Sequence, residues 1–217
     1  KSYDIKQLNR SMSVAAKAKL LQKLDEEVKS LQDLTSDSIL KFYGHYEDPK
    51  SEYRHLVLDF CEGGDLEQQL VKKQSPFSES QVKEWCHQLL DGLIEMETKN
   101  IVHRDIKPAN IFLKNQKAIL GDFGLVKHDL KKSTTTVAGS GVFMAPEVRG
   151  GVGHNCKADV WSLGVTVYML LFGKDPWDTW DGLKNQAGMS PWSNYNPKTC
   201  GDNLTFPYHI SVSDDFK

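Results

Sequence analysis

The sequence predicts an α+β chain, with a small lobe of a few strands and one helix followed by a mainly helical larger lobe. Three observations predict it. Strand-like runs at residues 2–8, 38–46 and 53–60 flank a single helical stretch near the start. A long apolar stripe of helical period follows over Val82–Ile94, and Asp159–Phe172 is the most apolar helix and reads as central. Between them, residues 101–125 read as short strands and loops that hold most of the chemically active side chains, which puts a site at the junction of the lobes.

Taken in order, residues 2–8 alternate in the manner of a strand. Leu20, Leu21, Leu24, Val28 and Leu31 then recur at helical spacing with Lys and Glu between them, predicting a helix from Ser13 to Leu34. Glu47-Asp48-Pro49-Lys50 is a turn between the next two strands, and Gly63-Gly64 ends the second before a short helix. Ser78 with Gln81 three residues on has capping-box spacing, so the helix carrying Trp85, Leu89 and Leu93 begins there and runs to about Asn100. Residues 126–144, rich in Lys, Ser, Thr and Gly, read as a mobile loop. The segment from Gly173 to Pro207 has little periodicity and receives no element.

The bulk properties are those of an ordinary soluble domain. The chain has 217 residues, 39% hydrophobic and 26% charged, with a net charge of −2. Nothing in that balance favours nucleic acid or an anionic membrane surface as a partner. The longest apolar run, Val165–Phe172, is far too short to span a bilayer. Cys61, Cys86, Cys156 and Cys200 are widely spaced and form no metal-ligand pattern, so reduced thiols and a cytoplasmic or nuclear location are expected.

The chemistry concentrates in two short runs. His103-Arg104-Asp105-Ile106-Lys107-Pro108-Ala109-Asn110 places a carboxylate, a lysine and an amide on one loop. Asp122-Phe123-Gly124 supplies a second carboxylate that could meet them in space. Asn110 and Asp122 offer hard oxygen ligands, the type that suits Mg²⁺. Asp105 could receive or orient a hydroxyl proton, and Lys107 could balance charge on a transferred phosphoryl group. Any one of these residues alone is better read as a solvated surface group.

Together they resemble the catalytic and metal-binding loops of the eukaryotic Ser/Thr protein kinases. The resemblance extends over nearly the whole chain. Ala145-Pro146-Glu147 matches the motif closing that family's activation segment, and Asp159-Val160-Trp161-Ser162-Leu163-Gly164 its central helix, whose aspartate holds the catalytic loop backbone. Asn110-Ile111-Phe112-Leu113 is similar to the NIMA-related kinases and Gly121-Asp122-Phe123-Gly124-Leu125-Val126 to the eIF2α kinases. The resemblance implies a two-lobed kinase fold, with residues 1–60 an incomplete N-lobe and hinge and 61–217 a C-lobe lacking its last helices. No glycine-rich phosphate loop is present, so a domain truncated at both ends is expected.

It also implies roles. Asp105, Lys107 and Asn110 would be catalytic, and Asn110 and Asp122 would hold Mg²⁺. Leu58 would be the gatekeeper, although a leucine there is also simple core. Backbone groups of Asp59 and Cys61 would bind adenine, Asp65 would reach the ribose, and Phe112 would lie under the base or merely pack. Tyr3-Asp4-Ile5-Lys6 aligns with the strand whose lysine binds the α- and β-phosphates, and Lys6 would pair with Glu27. Asp4 departs from the pattern: a carboxylate falls where a small apolar residue packs on adenine, so either the strand register differs or nucleotide binding is weakened. Ser140 would bridge Asp105 and Lys107. Arg104 would pair with a phosphate on Thr136, added by an upstream kinase or by self-phosphorylation. The expected activity is transfer of the ATP γ-phosphate to Ser or Thr hydroxyls of a protein substrate, with ATP and Mg²⁺ as cofactors. The alternative is a pseudokinase-like scaffold that keeps the fold and transfers nothing. A small-molecule phosphotransferase is disfavoured by the peptide-docking character of 126–147.

Overall fold

The computed structural model describes residues 2–4, 14–47, 54–128, 140–151 and 153–176. Strand β1 (Ser2–Asp4) is followed by helix α1 (Val14–Asp33) and strands β2 (Phe42–Glu47) and β3 (Arg54–Leu58). These strands form an antiparallel sheet in the order β1-β3-β2. Tyr3 pairs with Leu56 and Asp4 with His55, which fixes the register in the segment aligned with the phosphate-binding strand. The sequence places a strand over 38–46, but the sheet begins only at Phe42. Ile39 instead makes a parallel bridge to Leu120, and the Leu40 and Leu120 amides donate to the carbonyls of Leu120 and Ser38 at 2.8 Å each. Those backbone groups are thereby satisfied outside the sheet.

Helix α2 (Leu66–Lys73) leads to the long helix α3 (Glu79–Thr98). Ser78 caps α3 by accepting from the Gln81 amide, as its spacing predicts. Val82, Trp85, Leu89, Leu93 and Met96 of α3 are buried on one face. Strand β4 (Ile101–Val102) pairs with β7 (Lys127–His128), within the stretch read from sequence as a loop. Between them lies the hairpin of β5 (Ile111–Lys114) and β6 (Lys117–Leu120). Its two-residue turn, Asn115-Gln116, has φ of +50° and +66°, the left-handed pair that matches strand twist in a tight hairpin. Trp85 Nε1 donates to the Gln116 carbonyl (2.9 Å), and the Ala118 amide to Gln88 Oε1 (2.8 Å), so α3 holds the hairpin in place.

A single turn α4 (Pro146–Arg149) precedes α5 (Cys156–Phe172). Asn155 caps α5 through the Lys157 and Ala158 amides. Most of α5 is buried, as expected for a central helix apolar on several faces. One core cluster joins Val28 and Leu31 of α1 and Leu56 of β3 to Leu89 of α3 and Leu170 of α5. The small sheet therefore shares its hydrophobic interior with the helical part. Among the described residues no helix is long and apolar enough to cross a membrane.

Candidate active site

Asp159 is the foundation of the site. It is buried at the start of α5, where its Oδ2 accepts from the His103 amide (2.7 Å) and its Oδ1 from the Arg104 amide (2.9 Å). Arg104 takes φ of +73° there, an uncommon conformation for a residue with a side chain, and the two bonds stabilise it. Burial pushes the Asp159 carboxyl up to about 7, against the two amides and the Arg104 charge. His103 is also fully buried. Its Nε2 lies 3.0 Å from the Gly121 carbonyl, and its Nδ1 faces the Asp105 amide at 3.3 Å. A carbonyl can only accept and an amide can only donate, so the ring is neutral with its proton on Nε2. Burial lowers its pKa and keeps it so. The Phe123 ring meets His103 edge-on at 5.1 Å, which links the two loops through buried aromatic contact.

Asp105 sits on this support with both oxygens occupied. Oδ2 accepts from Lys107 Nζ (2.8 Å) and Asn110 Nδ2 (2.9 Å), and Oδ1 from the Ser140 amide and hydroxyl (3.1 Å each). Burial raises its pKa, but Lys107, Ser140 and Asn110 together outweigh burial and hold the carboxyl below its ordinary range. Lys107 Nζ also donates to Ser140 Oγ (2.9 Å), so Ser140 does stand between the aspartate and the lysine. The two Asn110 amide protons are spent on the carbonyl and carboxylate of Asp105. Its side-chain oxygen, Oδ1, is thereby the atom presented to a cation.

Beside this cluster opens a cavity of about 380 Å³, lined by Asp59, Cys61, Asp65, Asn110, Phe112 and Asp122 among others. Asp122 is exposed, with φ of +58°, while the next side chain, Phe123, is buried. That backbone turns the carboxylate to the cavity and the ring to the core. The Asp65 carboxylate caps α2 through the Gln68 amide (2.8 Å) at the cavity wall. The Asp59 amide donates to the Lys41 carbonyl (2.9 Å), which leaves its carbonyl as the hydrogen-bonding backbone group on offer to a ligand. Burial, then the Asp59 charge, raises the Cys61 thiol. Leu58 is partly buried against the main core. Glu27 lies half-buried on α1. Lys6 and Thr136 lie outside the described residues, so neither the Lys6–Glu27 pair nor the Arg104–phosphate pair is seen. Arg104 itself is largely buried.

Sequence reasoning missed several supports. Lys114 Nζ binds the Asp59 carboxylate, and Glu62 Oε1 accepts from the Asn115 amide (2.6 Å). With Gly63 N–H to Leu113 O (3.0 Å) and Leu113 N–H to Gly64 O (2.9 Å), they stitch the segment after β3 onto β5. A Cβ on Gly63 would lie 2.6 Å from Leu113 Cβ, so glycine is required there. Glu95 of α3 accepts from the Thr35 and Ser36 amides (2.9 and 2.7 Å) and from the Thr35 hydroxyl (2.9 Å). These are ordinary surface residue types far apart in the chain, and no local pattern marks them.

The donor set fits a Mg²⁺ ion bound with a polyphosphate. Such an ion takes one or two carboxylate or carbonyl oxygens and shares the phosphates, rather than sitting in a full protein cage. Asp122 and Asn110 supply that number, and no cluster of three or more His, Cys, Asp or Glu ligands occurs among the described residues.

The protein kinase domain model matches residues 1–215, and the chain belongs to that family. It is 33% identical over 183 residues to the serine/threonine-protein kinase PLK4 of Xenopus tropicalis, covering 82% of this chain and 19% of that protein. It is 38% identical over 181 residues to the mitogen-activated protein kinase kinase kinase ANP1 of Arabidopsis thaliana (80% and 27%). It is 35% identical over 179 residues to the Aurora kinase of Schizosaccharomyces pombe (82% and 49%). The chain thus spans from about a fifth to about half of the length of these relatives. The family in general uses ATP with a divalent cation and acts on proteins.

Proposed function

We propose that this chain is a protein serine/threonine kinase that transfers the γ-phosphate of Mg²⁺-bound ATP to hydroxyl groups of a protein substrate. The observation that carries the reading is the four-donor shell of Asp105, built from Lys107, Asn110 and Ser140 on the rim of the cavity that Asp122 lines. Phosphoryl transfer asks a protein chiefly for positioning and charge neutralisation. Asp122 and Asn110 Oδ1 would hold the Mg²⁺, which would supply charge neutralisation on the phosphates. The carboxylate of Asp105 is held low, so it is a weak base. Its main task is to accept the substrate hydroxyl's hydrogen bond and aim the oxygen, taking the proton as the bond to the γ-phosphorus forms and the bond from that phosphorus to the β,γ-bridging oxygen breaks, with ADP as the leaving group. Its lone pairs are already filled, so the incoming hydroxyl replaces one donor. Lys107 and Ser140 are less buried than Asn110 and are the ones to yield. Lys107, released from Asp105, can turn its ammonium to the transferred phosphoryl.

The test measures Mg·ATP binding by thermal shift and phosphate incorporation into casein, in the wild type and in Asp105→Asn. The expected result is a shift in both proteins and a kcat lower by about 10²–10⁴-fold in the variant. A well-folded wild type with no Mg·ATP shift would move the reading to a scaffold.

A further inference from the structure

Gly121 precedes Asp122, and its backbone is pinned on both sides. Its amide donates to the Asn110 carbonyl (2.9 Å), and its carbonyl faces His103 Nε2 (3.0 Å). Its φ lies outside the left-handed region, so any residue could hold this backbone. Space is what excludes a side chain. A Cβ there would sit 2.8 Å from Phe112 Cε2, 2.9 Å from Phe112 Cδ2 and 3.3 Å from Leu40 Cδ2. The Phe112 backbone is fixed as well, by pairing with Ile119 and by its bridge to Asp65. If a methyl group were added, the Phe112 ring would have to give way. Phe112 lines the 380 Å³ cavity, so displacing its ring from Gly121 changes the wall that the cavity presents.

We propose that Gly121 is a positioning residue for the nucleotide base, acting through Phe112. Its missing side chain lets a large aromatic ring lie back against residue 121 and still leave the cavity deep enough for a base. Ring and glycine form one size-matched unit: the bulk spent at 112 is recovered at 121. The inference rests on the nucleotide-binding reading given above.

A double-mutant cycle on the intact chain tests it, with Mg·ATP dissociation constants from calorimetry and KM and kcat from phosphate incorporation. Gly121→Ala should weaken Mg·ATP binding and raise KM about tenfold with kcat retained, the cost of overpacking appearing as lost affinity. Phe112→Val removes both clashing ring atoms and by itself weakens binding through lost packing on the base. In the Phe112→Val background, Gly121→Ala should then cost less than about twofold. Independent, additive effects of the two substitutions overturn the proposal, as does a Gly121→Ala chain that binds Mg·ATP like the wild type. If Gly121→Ala alone does not fold, the doubly substituted chain decides. Folding and binding like Phe112→Val supports the coupling, and failure to fold, or tenfold weaker binding, overturns it. A wild type that binds no Mg·ATP removes the kinase reading and this inference together, whereas wild-type binding with additive variants removes the inference alone.

Discussion

Asp159 is the residue on which the catalytic loop rests, and its proton gives a measurable handle. Unfolded, this carboxyl titrates near ~3.9; folded, burial pushes it up to about 7. Between those values the folded chain holds a proton that the unfolded chain has released. Its contribution to stability is therefore full below about pH 4 and is lost as the pH rises through 7. From pH 5 to 7 the wild type should lose roughly 2 kcal/mol of unfolding free energy relative to Asp159→Asn, whose side chain does not titrate. Urea denaturation at the two pH values measures it, and equal slopes for the two chains would locate the proton elsewhere. The Asn variant is also less stable at every pH, because an amide offers one acceptor oxygen to two backbone donors. At this scale the sequence is most informative where the chemistry is contiguous. Asp105, Lys107 and Asn110 lie within six positions, and the loop brings them onto one carboxylate. Lys114 and Asp59 are 55 positions apart and meet only through the fold.

At the scale of elements, the connection between α1 and β2 depends on one side chain of another element. Glu95 gathers the amides of Thr35 and Ser36 and the Thr35 hydroxyl, while Lys99 Nζ, at the C-cap of the same helix, reaches the Asp33 carbonyl. Helix α3 therefore holds the C-terminal end of α1 in place. Glu95→Ala leaves a half-buried Ser36 amide without its acceptor and should cost about 1–3 kcal/mol. Urea denaturation reads the loss, and hydrogen exchange should quicken first at the Thr35 and Ser36 amides. The helices α1 and α3 are legible in the sequence because each repeats its apolar positions at the helical period, and α5 because it is a long apolar run ended by Gly173. Residues 38–40 are not: the apolar pair Ile39-Leu40 fits a strand, but the partner is Leu120, about 80 positions on, and the backbone leaves the sheet to reach it. A short apolar run records which side chains are buried and is silent about which backbone they pair with.

For the whole molecule, the shared core cluster makes the small sheet and the helices one cooperative unit. Leu56, 3% exposed in β3, packs into the same cluster as the helical core. Leu56→Ala should destabilise the chain by about 2–5 kcal/mol. Far-UV circular dichroism and tryptophan fluorescence should move together. Separate transitions by the two probes would mean that the sheet melts on its own. The same joining of sheet to helices fixes the segment that follows β3, where the Asp59 amide is already spent on the Lys41 carbonyl. A heteroaromatic inhibitor seated in this cavity must therefore carry a donor toward Asp59. One that offers a bare ring nitrogen at that position would set lone pair against lone pair, however well its outline fits.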